Sequence, residues 1–408
     1  MATTMSNEYD VIIVGAGPAG SSCAMFLGRE GNKVLLIDKA KFPRDKTCGD
    51  ACSGKSISVL RELGLLPEIE KSAHGRICGV IFSSPNGTVL EVPGKDEKAN
   101  GFVCRREILD NIIFKGAKKY VNTLEEFTIT DLIKEGNQVV GVTGMDKSGK
   151  QQQFRAKIVV GADGAASIIA QKVGVFELDG AHHCTAVRGY YDGVTGMKEM
   201  IEIHFTKTVL PGYLWIFPYE DGTANVGIGM LTNDIKKHNI NLKALMEKEI
   251  HENLIFKERF ANAKLITEVK GWNLPLGSKI RKHIAGDGWV LLGDAASLID
   301  PFSGEGMGNA MTSAKIAFRT ISRALRLGAY SEKILHEYEE ELKRELKDEM
   351  TMSYNLQRLG KHQFLLNFVI GKAVKNAEMR NYISTMIINE EAKKGFVSPL
   401  FYLKLLFT

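Results

Sequence analysis

The stretch YDVIIVGAGPAG, residues 9–20, decides how the fold is interpreted. A β-rich apolar run leads directly into three glycines spaced as G-x-G-x-x-G, and an apolar helical segment follows. This order predicts a strand, a tight turn and a helix. In such a unit Gly15 permits the turn, Gly17 lets the backbone approach a pyrophosphate, and Gly20 lets the helix pack on the strand. The phosphates are then expected at the helix N-terminus, where unpaired N–H groups favour anions.

The residues that follow complete a β-α-β unit. A second buried strand, KVLLI at residues 33–37, ends directly before Asp38. An acidic residue at this place in the unit accepts hydrogen bonds from a ribose. The unit therefore predicts a dinucleotide ligand, and on its own it leaves both NAD(P) and FAD open.

Two further strand ends carry polar motifs. Strand-like IVV, residues 158–160, runs into Gly161-Ala-Asp163-Gly164, and WVLL, residues 289–292, runs into Gly293-Asp294. The second motif is followed by Pro301 and by the glycine-rich run GEGMG, residues 304–308, at a predicted helix start. N–H donors at that helix start could face the part of a flavin that becomes negative on reduction.

Together these segments resemble the flavoprotein hydroxylase fold, typified by p-hydroxybenzoate hydroxylase. The resemblance implies FAD rather than NAD(P) as the resident cofactor. It also implies that Asp294 contacts the ribityl and pyrophosphate region, and that Asp163-Gly164 lies close to the cofactor. The glycines after Pro301 would let the backbone approach the isoalloxazine ring.

Two more segments narrow the resemblance. RDKTCGD at residues 44–50 and PGYLWIFP at residues 211–218 resemble motifs of the geranylgeranyl reductase family, and REILD at residues 106–110 resembles its Arg-led helix start. Members of that family saturate isoprenoid double bonds in archaeal lipids, chlorophyll side chains or menaquinone tails. The resemblance implies that Arg106 touches the cofactor and that the substrate is a prenyl lipid or another hydrophobic small molecule.

The candidate site follows from these motifs. The predicted catalytic residues are Cys48, Tyr213 and Trp215. The predicted cofactor-binding residues are Gly15, Gly17, Ala19, Gly20, Asp38, Lys39, Lys46, Gly49, Arg106, Asp163, Gly164, Asp294, Gly304, Gly306 and Met307. No metal site is predicted, since the six cysteines form no C-x-x-C pair and free thiols are expected.

The chemistry of the three catalytic candidates has two interpretations. A cation such as Lys46 near Cys48 would make its thiol more reactive, whereas most free cysteines are simply buried. Tyr213, Trp215 and Phe217 alternate along a predicted strand and share one face, which is either ordinary core or an apolar wall beside a flavin. Cys48 and Tyr213 are the candidate proton donors.

The predicted fold class is α/β. A Rossmann-like FAD-binding domain of the p-hydroxybenzoate hydroxylase type would take residues 1–75, 101–178 and 276–330. An inserted antiparallel sheet, with strands expected at His204–Thr206 and at residues 213–218 and 224–230, would form the substrate domain from residues 76–100 and 179–275. Residues 331–408 would form a helical C-terminal region.

Composition limits the remaining classes. The 408 residues are 44% hydrophobic and 25% charged, with a net charge of +5, which excludes a disordered chain and does not demand nucleic acid. No run reaches the roughly 18 apolar residues that span a bilayer. A cytoplasmic location is expected. The apolar tail at residues 396–408 either packs on the protein or makes a peripheral membrane contact.

The sequence predicts an FAD-dependent reductase of isoprenoid double bonds. The alternatives are an FAD-dependent monooxygenase or halogenase-like enzyme acting on an aromatic or polyketide-like substrate, and a non-catalytic flavin or lipid carrier. No second dinucleotide fingerprint is found, so the electron donor is either transiently bound NAD(P)H or a ferredoxin or flavodoxin.

Overall fold

The computed structural model describes residues 8–94 and 101–380. The strands are β1 (Glu8–Val14), β2 (Val34–Ile37), β3 (Ala51–Cys52), β4 (Gly75–Ile77), β5 (Gly79–Ser83), β6 (Val89–Pro93), β7 (Gly101–Val103), β8 (Asn122–Leu124), β9 (Phe127–Glu135), β10 (Gln138–Asp146), β11 (Gln151–Gly161), β12 (His183–Asp192), β13 (Ile201–His204), β14 (Tyr213–Pro218), β15 (Thr223–Leu231), β16 (Lys264–Leu265), β17 (Lys270–Pro275), β18 (Ala285–Gly286) and β19 (Trp289–Leu291). The α-helices are α1 (Pro18–Arg29), α2 (Gly54–Glu62), α3 (Leu66–Glu70), α4 (Arg106–Lys118), α5 (Ile168–Lys172), α6 (Thr232–Lys237), α7 (Leu242–Glu252), α8 (Met307–Leu327), α9 (Glu332–Leu359) and α10 (Gln363–Lys375).

The first sheet has β1 at its centre, in the order β18-β19-β11-β1-β2-β8, with β9 and β10 continuing from β11. The pairs of β1 with β2 and with β11, and of β11 with β19, are parallel. Val14 lies beside both Ile37 and Gly161, and Gly161 lies beside Leu291. All four strands therefore end at one edge, where a doubly wound sheet binds its ligand.

This register explains why motifs far apart in the sequence meet. The segments that begin at Gly15, Asp38, Ala162 and Leu292 each follow one of the four strand ends. Helices α1 and α8 pack together against the sheet, and α1 buries ten of its twelve residues. The predicted α/β fold with a Rossmann-like sheet is confirmed.

The second sheet is a mostly antiparallel layer in the order β16-β12-β15-β14-β13-β5-β6, with β17 paired to β12. Side chains alternate along β14 as predicted. Tyr213, Trp215 and Phe217 belong to one apolar cluster, whereas Leu214 and Ile216 pack into another that includes residues of α7. A small third sheet, β3-β7-β4, was not predicted.

One strand prediction was wrong. The strand expected at His204–Thr206 lies at Ile201–His204. Thr206 leaves the strand because its carbonyl accepts hydrogen bonds from the N–H groups of Val209 and Leu210, which closes a turn. The predicted strands at Tyr213 and Ala224 begin within one residue of β14 and β15.

The C-terminal region is helical as far as it is described. Helices α9 and α10 follow α8, and the predicted apolar tail at residues 396–408 lies outside the described residues. Within 8–94 and 101–380, no helix is both long enough and apolar enough to cross a membrane. The predicted domain boundaries are retained as a proposal.

Candidate active site

A cavity of about 1660 Å³ separates the ligand-binding edge of the first sheet from the aromatic face of the second. Its lining includes every predicted site residue except Gly20. Ordinary small-molecule pockets measure roughly 300–1,000 Å³, so this cavity has room for a dinucleotide and a second ligand.

The cavity begins at the glycine turn before α1. Gly15 has a φ of +98°, and a Cβ atom there would lie 2.3 Å from the carbonyl oxygen of Ala162. Gly20 lies behind the cavity, where a Cβ atom would lie 1.8 Å from the carbonyl oxygen of Gly15. At Gly17, by contrast, the nearest atom is Nη2 of Arg44, 3.7 Å from the Cβ position. The turn is therefore closed on the strand side and open toward a cation, which fits a pyrophosphate.

The acidic residue at the end of β2 supports this turn. Asp38 Oδ2 accepts a hydrogen bond from the N–H of Ala16 at 2.7 Å, and Oδ1 accepts one from Ala40 at 2.8 Å. Each carboxylate oxygen has a second acceptor site, so Asp38 can also accept from a ribose hydroxyl. Lys39 is exposed and lies on the cavity rim.

The two later acidic motifs differ in their local roles. Asp163 Oδ2 accepts hydrogen bonds from Ile168 and Ile169 N–H at 2.7 and 3.2 Å, at the start of α5. Burial raises the pKa of Asp163. Asp294 lies on the cavity wall and meets the Lys46 ammonium at 3.5 Å. Lys46 therefore pairs with Asp294, rather than serving only as the neighbour of Cys48.

The glycine-rich run before α8 forms the wall between the two sheets. Its first turn leaves N–H groups without intrahelical partners, as every helix N-terminus does. The N–H of Gly308, which was predicted to face the flavin, instead donates to Oε1 of Glu305 at 2.7 Å. Burial raises the pKa of Glu305. The N–H groups of Gly304 and Glu305 also donate within the loop, to a carbonyl oxygen and a serine hydroxyl. The donors left for a flavin are therefore those of Gly306 and Met307.

Cys48 lies in the loop that follows β2, on the cavity wall. The N–H of Asp50 donates to its sulfur at 3.3 Å, and the guanidinium of Arg106 lies beside it. Arg106 is buried and forms a two-pronged ion pair with Asp110 at 2.6 and 2.8 Å. The cation beside the thiol is thus Arg106, which the sequence motif had suggested only as a cofactor contact.

The aromatic face of β14 is both core and cavity wall. The Tyr213 hydroxyl donates to the carbonyl oxygen of Ser303 at 2.6 Å, and Trp215 Nε1 donates to Asn225 Oδ1 at 2.9 Å. Phe217 packs against Gly49, whose Cβ position is 3.0 Å from its ring. Burial raises the pKa of Tyr213, so this phenol stays protonated.

Beyond this wall the cavity continues as an apolar arm. Its side chains come from β5, β6, β13, the loops after β13 and before α8, and α10, and they are Phe82, Leu90, Val92, Ile203, Phe205, Leu210, Phe302, Leu366, Val369 and Ile370. None of them was predicted as a site residue, because the four on β5, β6 and β13 alternate as core residues do and the other six lie on loops or on α10. The only signal was that alternation, which cannot distinguish a core from a cavity wall.

Sequence reasoning also missed polar groups around the Cys48 loop. Arg44 belongs to the quoted segment at residues 44–50 and faces Gly17, so its motif was visible although its role was not. Tyr190 and Asn225 are register partners on β12 and β15, and Asp50 meets both because its loop packs on that sheet. In the described part of the chain, no three His, Cys, Asp or Glu side chains are grouped to hold a metal ion.

Comparison with known proteins agrees with this geometry. A family model described as "FAD binding domain" matches residues 8–352. The chain is 33% identical over 341 residues to digeranylgeranylglycerophospholipid reductase 1 of Methanococcoides burtonii, covering 82% of this chain and 79% of that protein. It is 31% identical over 325 residues to menaquinone reductase of Mycobacterium tuberculosis, covering 77% and 76%.

Solved structures share the fold. A geranylgeranyl bacteriochlorophyll reductase-like protein from Thermoplasma acidophilum superposes with a TM-score of 0.82 at 23% identity, covering 95% of this chain and 98% of that one. The flavin-dependent brominase Bmp2 has a TM-score of 0.73 at 23% identity, covering 93% of both chains. The open glycine turn, the cationic Arg44 and the acidic strand ends fit FAD, and the protein is an FAD-dependent oxidoreductase. The chain belongs to the FAD-binding family and, within it, to the geranylgeranyl reductase family.

Proposed function

We propose that the protein reduces carbon–carbon double bonds of an isoprenoid lipid. The observation that carries the proposal is the continuity of the cavity, which runs from the FAD-binding edge past Cys48 and Trp215 into the apolar arm. Two of its relatives are reductases whose names specify a digeranylgeranyl lipid and menaquinone. The apolar arm offers the matching chemistry, a wall of aliphatic and aromatic side chains.

The apolar arm supplies binding energy to a prenyl chain. Each buried methylene contributes roughly 0.8 kcal/mol, so a few isoprene units in the arm hold the chain without any polar anchor. Phe205 and Phe302 stack there with ring centroids 6.2 Å apart, and Phe205 meets Tyr213 edge-on at 6.3 Å. A prenyl chain bound in the arm would therefore reach the aromatic face of β14.

The reaction needs a hydride at one alkene carbon and a proton at the other. FAD, when bound and reduced, supplies the hydride. The Cys48 thiol gives its proton to the second carbon, and the S–H bond breaks as the C–H bond forms. The thiolate that remains is stabilised by the Asp50 N–H and by the charge of Arg106, and water then returns the proton.

Tyr213 and Trp215 have a different role in the proposal. The Tyr213 hydroxyl already donates to Ser303, and the raised pKa of this phenol makes it a weak acid. Its place next to the glycine-rich run suits it to exclude water and to position the alkene. Trp215, held by Asn225, supplies the flat wall between Tyr213 and Phe217.

Strand register predicts a slot beside this wall. Tyr213 pairs with Gly229, Gly229 with Ala186, and Ala186 with Trp272, so the four lie in one row on one face. Three strand spacings separate the two aromatic residues by roughly 14 Å, and the floor between them is made of small residues. The slot is wide enough to hold a flat group or an extended chain.

We expect Gly229→Leu to lower prenyl-lipid turnover by about tenfold or more, because the new side chain would fill the slot that orients the reacting groups. FAD content should stay unchanged. The matched control is Gly271→Leu, two strands away on β17, exposed, outside the cavity and on the opposite face of the sheet. The measurement is the steady-state turnover of prenyl lipid by both variants. Equal losses in the two would contradict a role of the slot in binding the substrate.

The proposed function is tested by photoreducing the purified FAD-loaded protein without oxygen and then adding geranylgeranyl lipids. Reoxidation of the flavin by lipid alone, followed at its visible absorbance band, supports the reductase. A flavin that stays reduced with every prenyl lipid but reacts rapidly with air would move the function to a monooxygenase. Adding NAD(P)H, or reduced ferredoxin or flavodoxin, to the oxidised protein identifies the electron donor.

A further inference from the structure

A buried carboxyl group lies directly behind the Cys48 loop. Asp50 is fully buried, and its Oδ2 accepts three hydrogen bonds. The donors are the hydroxyls of Tyr190 and Tyr219, at 2.6 and 2.7 Å, and the side-chain amide of Asn225, at 2.8 Å. Asp50 also has a φ of +68°, an unusual conformation for a residue other than glycine. Such a cost is retained where the surroundings fix the residue.

The Asp50 carboxyl group is connected through hydrogen bonds to two of the predicted catalytic residues, Cys48 and Trp215. Asn225 donates a second hydrogen bond to the Cys48 carbonyl oxygen at 2.8 Å and accepts one from the Trp215 indole at 2.9 Å. The Asp50 backbone N–H donates to the Cys48 sulfur at 3.3 Å. One residue thus touches the thiol directly and reaches the carbonyl of Cys48 and the ring of Trp215 through one amide.

We propose that Asp50 is a positioning residue that sets the geometry of Cys48 and Trp215. Its carboxyl oxygen accepts hydrogen bonds from residues on β12 and β15 and from the residue that follows β14. These bonds fix the loop between β2 and β3 to the second sheet. The inference rests on the proposed function to the extent that Cys48 is the proton donor there.

The surroundings explain why a carboxyl group stands here. The two tyrosine hydroxyls and the amide would lose their common acceptor without it, and an unmade buried hydrogen bond costs roughly 1–3 kcal/mol. Arg105 lies 5.1 Å from the ring centroids of both Tyr190 and Tyr219, and Arg188 lies 4.4 Å from that of Tyr190. These cations pack against the two donor rings, whose hydroxyls donate to Asp50.

Three variants of the full-length FAD-loaded protein test the inference. Asp50→Ala removes the acceptor. Asp50→Asn keeps one oxygen for the three donors and tolerates the positive φ, so it should rescue the geometry. Glu202→Ala is the matched control, because Glu202 is another buried carboxyl with three short contacts, to His204 and Arg259, but it does not line the cavity.

Two measurements separate positioning from stability. The first is the rate at which iodoacetamide alkylates Cys48, read by mass spectrometry, which needs no prenyl substrate. The second is the pair kcat and KM for the prenyl lipid. For Asp50→Ala we expect kcat to fall about tenfold or more with KM little changed, and the alkylation rate to change about fivefold, because small displacements of a reacting group are costly. Asp50→Asn should stay near the parent in both.

Asn225→Ala keeps the test decisive if Asp50→Ala does not fold. It cuts the link to Cys48 and Trp215 while two donors to Asp50 remain, and the alkylation rate should change in the same direction. The inference is overturned if Asp50→Ala or Asn225→Ala leaves both measurements within about twofold of the parent, or if Glu202→Ala changes them equally. A parent protein that reduces no prenyl lipid would refute the proposed function, while the alkylation rates would still decide the role of Asp50.

Discussion

Gly20→Ala is expected to weaken FAD binding by the full-length protein by about 100-fold or more. A methyl group at this position would lie 1.8 Å from the Gly15 carbonyl oxygen, and the turn cannot retreat because Gly15 already lies against Ala162. Either α1 moves away from β1 or the turn opens, and both displace the N–H groups that would hold the pyrophosphate. Titration of the apoprotein with FAD, followed by flavin fluorescence, measures the loss.

The matched control is the same exchange at Gly371 in α10, where a Cβ atom would meet nothing within 4 Å. There alanine is a better helix former than glycine, by roughly 0.5–1 kcal/mol, and FAD affinity should be unchanged. If Gly20→Ala bound FAD within about threefold of the parent, the glycine turn would not be the pyrophosphate site.

Cys48→Ala is expected to lower prenyl-lipid turnover by about 10²- to 10⁴-fold, the usual contribution of a positioned general acid. The side chain lies on the cavity wall, and its exchange leaves the Arg106–Asp110 pair and the glycine turn in place. FAD content and anaerobic photoreduction should therefore match the parent, which separates loss of the proton donor from loss of the cofactor. Single-turnover reoxidation of the reduced flavin by lipid is the measurement.

Cys78→Ala provides the control for that substitution. Cys78 is also half-buried, but its thiol donates to Glu199 at 3.3 Å and it does not line the cavity. Its removal should leave turnover within about twofold of the parent, as a substitution away from the site does. A Cys48→Ala enzyme with most of its activity intact would transfer the proton-donor role to another group, and Glu305 would be the next to test.

The parts of the site that sequence predicted are those fixed by local chain order. Gly15, Asp38, Asp163 and Asp294 each follow a buried parallel strand, and the ends of parallel strands meet at one edge whatever lies between them in the sequence. The same reasoning placed the aromatic residues of β14 on one face, because side chains alternate along a strand. Both predictions depend only on periodicities that a single segment shows.

The parts that sequence did not predict depend on contacts between distant segments. Asp50 meets Tyr190, 140 positions away, only through the seating of one loop on the second sheet. Arg106 approaches Cys48 because α4 packs beside that loop, and nothing in the spacing of the two residues indicates it. The apolar arm could not be predicted for a similar reason, because it is lined by residues distant in sequence, such as Leu90 on β6 and Leu366 on α10.

The central claim is tested most directly by the mass of the product after anaerobic turnover of the FAD-loaded protein with a geranylgeranyl lipid and a chemical reductant. We expect a product that has gained two hydrogen atoms for each double bond consumed, with no oxygen added. A lipid recovered unchanged without oxygen, together with an oxygenated product once air is admitted, would contradict it.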